Sequence, residues 1–178
     1  MTNLNIVFDL DDTLINSEKI LLNGAYETLE NAKKLGATLY LLSFNEYAEI
    51  IARQLGIAKF FTKMFGKCNI SQNHSYCQEK SILFKEIFEK EITKDCILFD
   101  DLERNINDFI KSGGKAYLVK NLEINLAWKT FLGDYYLNEK KLQNNQKVQF
   151  LSSLNKEKSQ LISKKKFPVR EWLNKYNL

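Results

Sequence analysis

The sequence predicts a doubly wound α/β domain, a parallel sheet covered by helices on both faces. Three observations carry this. Short apolar runs, IVF at 6–8, ATLYLLSF at 37–44 and DCILFD at 95–100, suit strands buried on both faces rather than half-exposed ones. These runs alternate with amphipathic stretches of about 10–13 residues, the crossovers that parallel strands need. Glycines at 36, 56, 113 and 114 fall where those helical stretches should stop.

Taken in order, Asn5 to Asp9 is the first strand, and Ala25 to Leu35 is the first helix, with Ala25, Leu29 and Ala32 at helical spacing. Ala37 to Phe44 is the second strand. Asn45 then has the chemistry of a helix N-cap, ahead of a helix that places Tyr47, Ile50, Ile51 and Leu55 on one face. Residues 58–78 carry little pattern. A further amphipathic helix runs over 79–91, a strand over 95–100, a helix over 105–111 and a strand over 115–119. Beyond about Asn121 the pattern gives way to aromatic and Lys-rich segments that read as helical. The expected organisation is therefore a body over 1–120 and a basic C-terminal extension over 121–178, packed on the body or mobile.

Charge follows that division. Residues 1–120 hold 15 basic and 17 acidic residues, a charge of −2, which leaves 11 against 5, or +6, for residues 121–178. The overall +4 is too small to demand a nucleic-acid partner, although the run Lys164, Lys165, Lys166 allows weak contact with phosphate backbones. A solvated helix face is the plainer account of that run. Cys68, Cys77 and Cys96 form an odd set without disulfide spacing, which points to a reducing compartment. The first ten residues already read as a strand and no run of about 18 apolar residues offers a membrane span, so a cytoplasmic protein without membrane contact is expected.

In an open parallel sheet, reactive groups gather at the carboxyl ends of strands near the switch in strand order. The strand ends here are chemically coherent. The first ends in Asp9-Leu10-Asp11-Asp12-Thr13, the second in Ser43-Phe44-Asn45 and a third in Asp100-Asp101, with Lys80 opening the helix between. Carboxylates clustered at a sheet edge repel one another unless a cation joins them. Mg²⁺ suits such a site, because it takes hard oxygen ligands and is completed by phosphate oxygens. Two aspartates one residue apart can then divide the labour, one attacking while the other gives and takes a proton. Ser43, Asn45 and Lys80 would hold the transferring oxygens.

FDLDDTL resembles the first motif of the haloacid dehalogenase superfamily, in which an aspartate, any residue, a second aspartate and a threonine follow a hydrophobic strand. Ser43 after LYLL resembles its second motif, Lys80 its third, and Asp100-Asp101 after CILF its fourth. Together these span residues 4 to about 120. The runs SFNEYAEI and FDDLERNI are most similar to the capless magnesium-dependent phosphatases of that superfamily, reported to act on phosphotyrosine and sugar phosphates. The resemblance implies a Rossmann-like sheet and a phosphomonoesterase working through an aspartyl-phosphate. It implies Asp9 as nucleophile and metal ligand, Asp11 as general acid/base and ligand through its carbonyl, Asp100 as a ligand, and Asp101 as a ligand or a neighbour of the ligands.

The chain departs from that pattern in two places. Asp12 stands where many members have glycine, and is read as a solvent-facing turn residue. Ser-Phe-Asn replaces the Ser-Arg-Thr usual in the most similar group, which removes an arginine from the site. Lys67 competes with Lys80 as the phosphate-binding lysine, although Lys80 opens an amphipathic helix 20 residues before Asp100.

Neither interval that carries a cap domain in such proteins is long here. Ile15 to Asn23 makes only a short flap, and the 36 residues from Phe44 to Glu79 are mostly helix, strand and loop. An open site of this kind suits bulky phosphate esters, phosphoprotein segments, nucleic-acid ends or glycans, as well as small phosphorylated molecules, unless residues 121–178 act as a lid. The alternative function is a silent module that binds phosphate or a partner without turnover. A zinc site from Cys68, His74 and Cys77 lacks a fourth ligand, so a loop is the preferred account. Cys96 is read as core, and Trp128, Phe131, Tyr135 and Tyr136 as packing the extension on the body.

Overall fold

The computed structural model describes residues 4–66, 79–138, 140–141 and 152. The chain divides into a unit over 1–132 and a second over 133–178. In the first unit the strands are β1 (Asn5–Phe8), β2 (Thr38–Leu42), β3 (Lys63–Phe65), β4 (Cys96–Asp100) and β5 (Lys115–Leu118). The helices are α1 (Ala25–Lys34), α2 (Ala48–Gln54), α3 (Lys80–Phe88) and α4 (Glu103–Lys111), with a 3-10 turn at Ala58–Phe60 and a further helix from residue 124. All strand pairings are parallel, in the order β3-β2-β1-β4-β5. The predicted doubly wound sheet is thus present.

Every residue of β1 and β4 is buried, as continuous apolar runs require when helices cover both faces. On one face Val7, Tyr40, Leu42 and Leu98 meet Leu83, Phe84 and Phe88 of α3 and Phe109 of α4. Tyr40 lies edge-on to Phe84, their centroids 5.6 Å apart. Alternate residues point the other way. There Phe8 stacks on Phe99 at 5.1 Å, and Phe99 in turn meets Tyr117, Trp128 and Phe131. Trp128 and Phe131 therefore pack within the first unit, beyond the boundary expected near 120. Cys96 is buried in the core as expected.

Helix ends follow the glycines. Gly36 (φ 77°) and Gly56 (φ 70°) adopt the left-handed conformation just past α1 and α2, where side chains are penalised. The residue after each closes the turn, Ala37 N–H on the Ala32 carbonyl and Ile57 N–H on the Ala52 carbonyl.

Two expectations need correction. Asn45 is not the cap of α2, because the helix starts at Ala48 with Tyr47 in the cap position. Asn45 makes a turn of its own, its Oδ1 accepting from Tyr47 N–H at 2.9 Å, while its amide nitrogen is drawn to Asp11. Helix α3 stops at Phe88 rather than near 91, because Glu89 takes φ 54° without being a glycine. The strand expected between Phe44 and Glu79 is present as β3, a run of three residues too short and too exposed to show a pattern of its own. Among the described residues no helix is long and apolar enough to cross a membrane.

Candidate active site

With β1 central and the chain crossing from β3 at one edge to β4 on the other side of β1, the switch in strand order lies between β1 and β4. A parallel sheet opens its binding crevice there, at the carboxyl ends. Asp9 follows β1 directly, held by its N–H on the Phe99 carbonyl, and Asp100 ends β4.

Lys80, the first residue of α3, reaches between them. Its Nζ lies 2.5 Å from Asp9 Oδ1 and 2.6 Å from Asp100 Oδ2, and the side chain is only 1% exposed. The Phe44 ring lies 5.4 Å from that ammonium. A buried charge survives only when paired in this way. Asp100 has both oxygens engaged, since Oδ1 also accepts from Leu102 N–H and from Asn105 Nδ2, each at 2.9 Å.

Burial pushes the Asp9 carboxyl up to about 7, helped by Asp100 and Asp101 and opposed by Lys80. Burial works against the Lys80 ammonium, yet Asp9 and Asp100 outweigh it and hold that group above its ordinary value. Asp101 is raised by partial burial and by Asp100. Among the described residues, three carboxylates thus face one ammonium.

A second network lies alongside. Asn45 Nδ2 donates to both oxygens of Asp11, at 2.9 and 3.1 Å, and Asn45 N–H donates to Ser43 Oγ at 3.1 Å. Ser43 itself is buried at the end of β2, its N–H on the Phe65 carbonyl. Asp11 Oδ1 also takes the Lys19 ammonium at 2.6 Å. Lys19 comes from the flap, a small hairpin bridged at Ile15 and Leu21 whose tip is fastened by Asn16 Oδ1 to the N–H groups of Glu18 and Ile20. Asp12 is exposed in the turn between β1 and the flap, at φ 54°. A left-handed turn explains why a glycine would also suit position 12.

A family model for haloacid dehalogenase-like hydrolases matches residues 6–174. The chain belongs to this family. Solved structures share the fold of this hydrolase at low identity. A Listeria monocytogenes serotype 4b protein is 20% identical with a TM-score of 0.53, over 67% of this chain and 80% of that one. A Corynebacterium glutamicum protein is 16% identical with a TM-score of 0.53, over 72% and 92%. A haloacid dehalogenase-like hydrolase of Streptococcus pneumoniae is 12% identical with a TM-score of 0.52, over 71% and 91%. No curated protein sequence matches significantly.

All seven residues singled out in the sequence of this hydrolase, Asp9, Asp11, Ser43, Asn45, Lys80, Asp100 and Asp101, lie at the ends of β1, β2 and β4 or at the start of α3. Lys67, Cys68, His74, Cys77 and Lys164 to Lys166 lie outside the described residues. Among those described, no three Asp, Glu, His or Cys side chains are grouped as ion ligands as they stand. The donor chemistry nevertheless fits a hard divalent cation, because among the described residues the carboxylates at the strand ends outnumber the ammonium and the donors they offer are oxygens. Asp100, expected as a ligand, gives both oxygens to Lys80, Leu102 and Asn105, and Asp9 gives Oδ1 to Lys80, so Asp9 Oδ2, the Asp101 carboxylate and the Asp11 carbonyl are the oxygens best placed to take an ion.

Lys19, Asn105 and the pair Ser81–Asp108 had no counterpart in the sequence reasoning. Ser81 N–H and Oγ both donate to the Asp108 carboxylate, at 2.9 and 2.7 Å. An acidic residue one helical turn after Asn105 on α4 was the available signal, but such residues are most often solvated.

Proposed function

We propose that this hydrolase is a magnesium-dependent phosphomonoesterase that acts through an aspartyl-phosphate on Asp9. The observation that carries the proposal is the placement of Asp9 at the sheet's switch point. Its Oδ1 is pinned by a buried lysine, and Asp11 stands two residues on with donors of its own. Mg²⁺ bound by Asp9, Asp101 and the Asp11 carbonyl would offset the charge of the phosphate, so that a carboxylate can approach it. Asp100 contributes by holding Lys80.

The remaining work falls to the chain. Asp9 displaces the alcohol from phosphorus while Asp11 gives the leaving oxygen its proton. Lys80, Ser43 and Asn45 steady the transferring oxygens. Asp11 then takes a proton from the water that attacks the aspartyl-phosphate, which frees phosphate and restores Asp9. The flap between Asp12 and Ala25 is a single small hairpin, which favours an accessible phosphate ester, macromolecular substrates included.

Release of phosphate from an aryl phosphate, with Mg²⁺ and with EDTA, tests the proposal. Turnover should need Mg²⁺, fall on the order of 10³-fold or more in Asp9→Asn, and fall about 10²- to 10⁴-fold in Asp11→Asn. Incubation with acetyl phosphate should leave a hydroxylamine-labile label on the wild type and none on Asp9→Asn. A wild type that binds Mg²⁺ and releases nothing from small or macromolecular esters would sink the proposal and favour the silent module.

A further inference from the structure

We propose that Asp108 is a positioning residue for Lys80, setting from α4 where the α3 ammonium meets Asp9. It rests on the role given to Lys80 above.

A helix leaves its first N–H groups without partners inside the helix, and a side chain at the cap position usually takes one of them. Glu79, the cap residue of α3, makes no such bond. Asp108 supplies the acceptor from a different helix, taking the Ser81 N–H on Oδ2 at 2.9 Å and the Ser81 hydroxyl on Oδ1 at 2.7 Å. Ser81 is buried and directly follows Lys80. Two parallel hydrogen bonds to one carboxylate fix direction as well as distance.

The same helix also holds the other end of the ion pair. Asn105, three residues before Asp108 and so on the same side of α4, donates to Asp100 Oδ1, while Asp100 Oδ2 takes Lys80 Nζ. One helix therefore fastens the backbone that carries Lys80 and the carboxylate that Lys80 reaches. Sliding or rotation of α3 against α4 would carry the ammonium away from Asp9, and a shift of about 1 Å in a catalytic group costs about 10²-fold in rate. Ser81 acts only through Asp108 in this scheme, apart from its backbone.

Steady-state kinetics on an aryl phosphate with saturating Mg²⁺ tests the assignment, using Asp108→Ala, Ser81→Ala, the double variant and the core control Leu29→Ala, on α1. Asp108→Ala should lose at least about tenfold in kcat, with its Mg²⁺ activation constant within about twofold of the wild type. Ser81→Ala keeps the N–H bond and should lose less. The double variant should be no slower than Asp108→Ala alone. Leu29→Ala should lower Tm without lowering kcat at 25 °C. A kcat within twofold of wild type in Asp108→Ala overturns the proposal, as does an equal loss in Leu29→Ala. If Asp108→Ala does not fold, Ser81→Ala decides, and an unchanged kcat overturns it.

A wild type without turnover removes the phosphatase proposal separately. A crystal structure of Asp108→Ala then reads the positioning directly. Lys80 Nζ displaced from Asp9 supports it, and Nζ still bonded to both Asp9 and Asp100 overturns it.

Discussion

A buried carboxylate that shares its surroundings with two others is held short of full ionisation, and at Asp9 this has a measurable sign. The folded-state value near 7 lies above the ordinary 3.8, so between about pH 4 and 7 the native protein keeps a proton that the unfolded chain has lost. Stability of the metal-free protein should therefore fall as pH rises through that window. Asp101, also raised, acts in the same direction, whereas the raised Lys80 value matters only in alkali. A divalent ion binds the ionised carboxylates, so added Mg²⁺ should raise Tm more at pH 8 than at pH 5. Thermal melts across that range check both statements. Asp9→Asn should flatten the pH slope and remove most of the Mg²⁺ shift, and a slope unchanged in that variant would assign it to other groups. The main carboxylates and Lys80 were legible because strand ends announce themselves in sequence. Lys19, Asn105 and Asp108 were not, since their partners lie 8, 5 and 27 residues away and meet only once flap and helices have packed.

At the scale of elements, local signals worked where one residue type has one mechanical use. Gly36 and Gly56 marked the ends of α1 and α2, whereas Glu89 ends α3 in the same left-handed conformation with no glycine to announce it. Strand β3 was expected between Phe44 and Glu79 but could not be placed, because three residues at a sheet edge cannot display a period. The turn after β1 allows a direct test of such strain. Asp12 sits at φ 54°, a conformation that costs most L-residues about 1–2 kcal/mol, while glycine gives up part of the gain through its freer unfolded state. Asp12→Gly should stabilise the protein by up to about 1 kcal/mol in urea denaturation. It should also relax Asp101 toward its ordinary value, because Asp12 is among the charges that raise it. Destabilisation by that substitution would mean that the Asp12 side chain supports the turn.

Over the whole molecule, the doubly wound sheet gathers residues from 9 to 101 at one edge, and the alternation of apolar runs sufficed to foresee it. The limit of the body was harder to read, because the helix from residue 124 lacks a strand partner and its aromatic residues resemble those of the segment that follows. Ile124, Ala127, Trp128 and Phe131 are all buried, and Phe131 meets Phe99 and Tyr117 edge-on. Burial of each large apolar side chain contributes about 1.5–3 kcal/mol, and a domain's net stability is only about 5–15 kcal/mol. Ending the chain after Lys120 would expose Phe99 and Tyr117 and remove a share of stability comparable to the total. A protein ending at Leu132 keeps those contacts. Urea denaturation followed by Trp128 fluorescence should therefore show one cooperative transition for residues 1–132. Residues 1–120, followed by circular dichroism, should show none, or should aggregate. Cooperative unfolding of the 1–120 fragment at the midpoint of the longer one would show that the aromatic cluster around Phe99 adds nothing to the stability of the sheet.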